Sequence, residues 1–94
     1  MNNLKVVLVS EKKYSALSDR EILSLIDQGY LLFCVVGVDC QKWEDIIDEL
    51  AVGDGSNPRF VITTSHPNES VEEVVEFANL LSLDIKSGVD VIGI

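Results

Sequence analysis

Apolar runs and amphipathic stretches alternate along the chain from end to end. Leu4 to Val9 is continuously apolar except for Lys5, the pattern of a strand covered on both faces. Ser18-Asp19-Arg20-Glu21 follows with capping-box spacing, in which a serine hydroxyl accepts the N–H three residues on and the glutamate reaches back. Ile22, Leu23, Leu25 and Ile26 supply the stripe of the helix it opens, and Gly29 stands where a left-handed residue would end it. Tyr30 to Val38 is the most apolar segment and predicts a second strand, central in its sheet. Trp43, Ile46, Ile47, Leu50 and Ala51 then fall on one face of a 3.6-residue period. The turn cluster Gly53 to Pro58 ends that helix, and Arg59 to Thr64 predicts a third strand. Ser70-Val71-Glu72-Glu73 is a second capping box, opening a helix with Val71, Val74, Val75, Ala78 and Leu81 inward. Val89 to Ile94 closes the pattern as a short strand, which Asp90 marks as an edge.

The order is βαβαβαβ. Strands joined by helical crossovers run parallel, and nearly all such crossovers are right-handed. The expectation is an α/β fold of three layers: an open parallel sheet of four strands with helices on both faces, forming a single domain over residues 1–94. The favoured strand order is 2-1-3-4, with 3-2-1-4 as the alternative. In the favoured order the second and third helices lie on the same face of the sheet.

This succession resembles the small doubly wound domains, flavodoxin-like and receiver-like, over nearly the whole chain, and also resembles short uncharacterised bacterial proteins. The receiver resemblance implies an acidic pair after the first strand, where this chain has Ser10-Glu11. It also implies a phosphoacceptor, a role only Asp39 is placed to take, and a lysine after a late strand, whereas Lys86 precedes the final one. The thioredoxin pattern is absent, since no C-x-x-C occurs.

Of the 94 residues, 16 are acidic and 7 basic, for a net charge of −9. A polyanionic ligand needs a basic stripe, so neither nucleic acid nor a membrane surface is expected as a partner. The apolar run at the N-terminus is too short for a signal peptide. The two cysteines, Cys34 and Cys40, have a spacing that matches no metal or redox motif. A soluble cytoplasmic protein without cofactor or metal is therefore expected. The charge is uneven: residues 1–20 carry four basic and two acidic side chains, and residues 21–94 carry three basic and 14 acidic.

In open α/β sheets ligands bind outside the carboxyl ends of the strands. Topology brings Ser10, Asp39, Cys40, Thr64, Ser65 and His66 there, and these are the candidate ligand-binding residues. His66 has the chemistry of an acid or base, and Cys40 at a helix start feels the positive end of the dipole. Against this, the Thr63 to Ser70 segment also reads as a strand exit whose hydroxyls satisfy the backbone, and Asp39 and Glu44 disfavour a thiolate. Neither G-x-G-x-x-G nor a P-loop is present, and no catalytic set is assembled.

The acidic helices are the second candidate surface. Glu44 and Asp48 on the second helix and Glu72 and Glu76 on the third would merge into one acidic field if the two share a face. The expectation is a non-catalytic interaction protein of inhibitor, immunity or adaptor type meeting a basic protein partner. Two alternatives stand beside it: charge that serves solubility alone, and a small-molecule binder or minor enzyme at the carboxyl edge. The final strand, as an unpaired edge, further predicts a homodimer formed by pairing with its copy.

Overall fold

The computed structural model of the chain describes residues 3–81 and 87–94, so Lys86 lies outside the described residues. Strand β1 (Lys5–Ser10) leads through a 3-10 turn (Ala16–Ser18) into helix α1 (Asp19–Asp27). Strand β2 (Leu32–Gly37), helix α2 (Cys40–Val52), strand β3 (Ile62–His66), helix α3 (Val71–Leu80) and strand β4 (Val89–Gly93) follow. All three strand pairings are parallel, with Val6 opposite Phe33, Phe33 opposite Thr63, and Val6 opposite Asp90.

The sheet order is β3-β2-β1-β4, which corrects the expected 2-1-3-4. Burial decides between the two. Residues 32 to 36 of β2 and 5 to 8 of β1 are all buried, and the expected order would strand β2 at an edge with one flank in water. The observed order puts both apolar strands in the centre. It gives the edges to β3, with two threonines, a serine and a histidine, and to β4 with its Asp90. This is not the flavodoxin-like succession, whose first strand lies between the second and third.

The order also fixes the layers. Right-handed crossovers running β1-β2-β3 in one direction place α1 and α2 on one face, and the return to β4 places α3 on the other. Alternate strand residues accordingly separate into two cores. Val6, Leu8, Phe33 and Val35 pack with Ile22, Ile26, Trp43 and Ile47, while Val7, Leu32, Cys34 and Val36 pack with Val74 and Ala78. Helices α2 and α3 therefore lie on opposite faces, and the single acidic field expected across them does not form.

The two capping boxes have different outcomes. Ser70 enters α3 with extended backbone (φ −83°, ψ 160°); its hydroxyl accepts the Glu73 N–H at 3.2 Å and its own N–H donates to Glu73 at 3.0 Å. Ser18 arrives already helical from the 3-10 turn (φ −88°, ψ −7°) and makes no side-chain cap. A box needs an extended first residue, and the turn removes it. Strand β3 likewise begins later than expected, because the Arg59 N–H is held by the Ala51 carbonyl at 2.7 Å as part of the loop that closes α2.

Candidate functional site

Ser10, at the end of β1, is buried and turns its hydroxyl onto the Lys12 carbonyl at 2.7 Å. Beside it, Gly37 has φ +105°, and a Cβ there would come 2.3 Å from the Ser10 carbonyl oxygen. Only glycine lets β2 leave the sheet this close to β1. Asp39 follows in the left-handed region (φ +60°), and its carboxylate accepts the Tyr14 N–H at 3.1 Å. The loop after β1 is thereby tied across the carboxyl ends. Trp43 Nε1 donates to the Lys12 carbonyl at 3.3 Å, and the Tyr14 ring meets Trp43 edge-on at 5.2 Å. The Tyr14 hydroxyl donates to Asp19, which pushes its pKa up to about 12. Cys40, the first residue of α2, is buried in the α1–α2 core.

The hydroxyl-rich strand divides its candidates between the two faces. Thr63 and Ser65 face α2, where their hydroxyls donate to Asp48 at 2.8 Å and Glu44 at 3.0 Å. Thr64 and His66 face α3. The imidazole is buried, stacks edge-on against Phe77 at 4.7 Å, shares a hydrogen bond with the Thr64 hydroxyl at 2.7 Å through Nε2, and contacts the Glu69 carboxylate through Nδ1. A hydroxyl, an imidazole and a carboxylate in series have the connectivity of an activated nucleophile. None of the cavities described below borders Thr64, however, which stands half-buried on the edge strand rather than at a formed cleft. The arrangement satisfies both nitrogens of a buried imidazole. Thr64 also lies opposite Cys34, whose thiol is pushed up by burial, with the Thr64 hydroxyl and the Lys5 ammonium opposing.

Of the six candidates, Asp39 and Cys40 border one cavity, of about 250 Å³, together with Gly37, Gln41, Pro67 and Asn68. That is below the usual range for a small-molecule site. A larger hollow of about 570 Å³ opens between α1 and β4, lined by Leu17, Arg20, Glu21, Ser24, Leu25 and Ile92 among others, and contains none of the candidates. Among the described residues no group of three or more histidine, cysteine or acidic side chains is arranged to hold a metal, and no helix is long and apolar enough to cross a membrane.

The partner candidates separate with the helices. On α2, Asp45, Asp48 and Glu49 are exposed and Glu44 is half-buried; on α3, Glu72 and Glu76 are exposed on the far side of the sheet. Residues 1–87 match a family described as a domain of unknown function, DUF7684. The chain belongs to that family. The DUF7684 match runs from β1 through α3, so it takes in both acidic helices and all of the carboxyl-end residues named above. No curated protein and no solved structure matches the chain.

Three features of this DUF7684 chain escape the sequence reading. Lys5 is buried beneath α3, Asp90 is bound to Tyr30 and Asn3, and Phe60 is 92% exposed in front of an edge strand. The signal for the last was available: an apolar pair, Phe60 and Ile62, adjoins a run of hydroxyls too polar to be covered on both sides.

Proposed function

We propose that the protein is a cytoplasmic, non-catalytic interaction module of inhibitor, immunity or adaptor type, and that the α2 surface meets a basic protein partner. The carrying observation is that, among the described residues, no α2 carboxylate forms an ion pair. Glu44 and Asp48 bond to neutral hydroxyls, and the Arg59–Asp27 ion pair and the His66–Glu69 contact both lie off α2. Uncompensated charge of this kind speeds encounter with an oppositely charged surface and selects against others. Two free, buried thiols fit a reducing compartment. A ligand site at the carboxyl ends has less support, because the loop after β1 is already packed across them and His66 turns under α3.

Affinity chromatography on the immobilised protein, repeated over a salt series, tests the reading. A specific partner should be lost as salt rises and should fail to bind when Glu44 and Asp48 are changed to lysine. Retention indifferent to salt and to both substitutions overturns it.

A further inference from the structure

Strand β3 is an edge whose free side is chemically two-faced. The Ile62 N–H donates inward to the Leu31 carbonyl at 2.8 Å. Backbone groups alternate sides along a strand, so those of Thr63 and Ser65 point outward, away from β2, where the edge strand has no neighbouring strand among the described residues. On the α2 side this row is bordered by the Glu44 and Asp48 carboxylates, already drawn to the edge by the Ser65 and Thr63 hydroxyls. On the α3 side it is bordered by apolar surface. Ile62 is 46% exposed and Phe77, against His66, is 37% exposed. Leu80, one helical turn beyond Phe77 on the same side of α3, is 75% exposed.

We infer that β3 accepts an extended segment of a partner protein as a fifth strand, and that this segment alternates basic and apolar side chains. The inference rests on the acidic-surface reading and specifies how that surface is used. Main-chain bonds to Thr63 and Ser65 supply adhesion, and side chains on the two faces of the added strand supply selectivity. Successive side chains of a strand point to opposite faces, so one set meets Glu44 and Asp48 while the other meets Ile62 and Phe77. A second copy of this chain fits poorly. Antiparallel pairing of two β3 strands would set Glu44 and Asp48 of one copy beside the same residues of the other, and like charges facing each other across a strand pair are destabilising.

The probes are blocked peptides of about seven residues, one strand's length: strictly alternating lysine and valine, the same composition in a helical period, and alternating glutamate and valine. Binding is followed by amide chemical shifts and hydrogen exchange of the full-length protein. The alternating basic peptide should shift the β3 and α2 resonances, slow exchange at the Thr63 and Ser65 amides, and bind about tenfold more weakly when Glu44→Gln and Asp48→Asn are combined. Thr63→Pro, which removes an outward donor at an edge position, should abolish the protection. Ile62→Asp provides a second variant, expected to lose the peptide while retaining the wild-type fold by circular dichroism.

Equal binding of both basic peptides, with shifts over α2 and no protection of Thr63 or Ser65, overturns strand addition and leaves the acidic surface standing. Absence of binding by any peptide overturns the inference, and the affinity experiment then judges the acidic surface separately. Protection of the same amides without peptide, lost on dilution, overturns it in favour of a second copy.

Discussion

The Lys5 ammonium donates to the Ala78 carbonyl at 2.8 Å, joining the first residue of β1 to the last turn of α3. A second bond, to the Leu81 carbonyl at 3.0 Å, completes the cap. Helix C-termini leave carbonyls without partners and carry partial negative charge, so a lysine buried at this point meets both needs. The residue that interrupts the first apolar run is thus what allows α3 to end against the sheet.

Replacing Lys5 with methionine keeps most of the buried stem and removes the donor. The two carbonyls then lose their partners, and the expected loss is about 2 kcal/mol of folding stability. Urea denaturation of Lys5→Met, with the slope of the transition unchanged, measures it. A change smaller than about 0.5 kcal/mol, the range of ordinary surface substitutions, would show that water replaces the ammonium freely.

Lys5 illustrates what the sequence discloses and what it withholds. The succession of four strands and three α-helices is legible from the spacing of apolar positions, but the 3-10 turn is not. Strand β3 lies two to three residues beyond its expected place, because only Ile62 of its five residues is apolar. The strand order is legible only if the unbroken apolarity of β2 outweighs analogy with flavodoxin-like domains; β2 demands cover on both flanks, and one order supplies it. The candidate site is less legible. Thr64, Ser65 and His66 stand together in sequence, but the strand continues through His66, and the twofold alternation sends Ser65 to Glu44 and its neighbours to the α3 side. The packing of Tyr14 on Trp43 and the bond from Tyr30 to Asp90 join distant segments, and no local pattern announces them.

The response to pH follows from groups held away from their usual ranges. Asp90 is lowered by the Tyr30 hydroxyl and then by the Asn3 amide, and Glu73 by the Ser70 N–H and then its hydroxyl. A carboxyl lowered on folding contributes stability above its unfolded value, near 4, and loses it as pH falls through the folded value. Tyr14 is raised to about 12, chiefly by its bond to Asp19. Its contribution is complete below the unfolded value of about 10 and is lost as pH climbs toward 12. Tyr30 is raised by the same bond that lowers Asp90, so that bond is one interaction seen from two ends. Urea midpoints should therefore form a plateau through neutrality with a fall on each side. Asp90→Asn should flatten the acid fall, and Tyr14→Phe the alkaline one. Unchanged limbs in both variants would assign the pH response to other groups.

Gly37 and Gly29 separate two demands that glycine meets. Both have positive φ, +105° and +100°, but a Cβ at Gly29 would meet nothing within 4 Å. At Gly37 it would collide with the Ser10 carbonyl, which also accepts the Val38 N–H at 3.0 Å and cannot withdraw without losing that bond. Gly29→Ala should cost about 1 kcal/mol, the conformational term alone. Gly37→Ala should cost at least about 3 kcal/mol, since the backbone must shift where β1 and β2 leave the sheet. Thermal or urea unfolding of the pair decides; equal losses would mean the β2 exit yields easily.

The β4 edge is the second place where the sheet can grow, and here the occupant we expect is a second copy. Asp90 would guard this edge if its charge faced outward, but its carboxylate is bound to Tyr30 and Asn3. Val91, on the opposite face of the strand, is 52% exposed. Two β4 strands meeting antiparallel across a twofold axis would close as a dimer, the arrangement an isologous contact permits. Each copy carries −9, so the dimer should tighten as salt rises and the repulsion is screened beyond about 8–10 Å. This dependence is opposite in sign to that expected for the basic partner of α2, which keeps the two events distinguishable. Sedimentation across the micromolar range should show a dimer that strengthens with salt and disappears in Val91→Lys, which places an ammonium group at the seam of each copy. Dimerisation that survives Val91→Lys and is lost with Ile62→Asp would instead move the contact to β3.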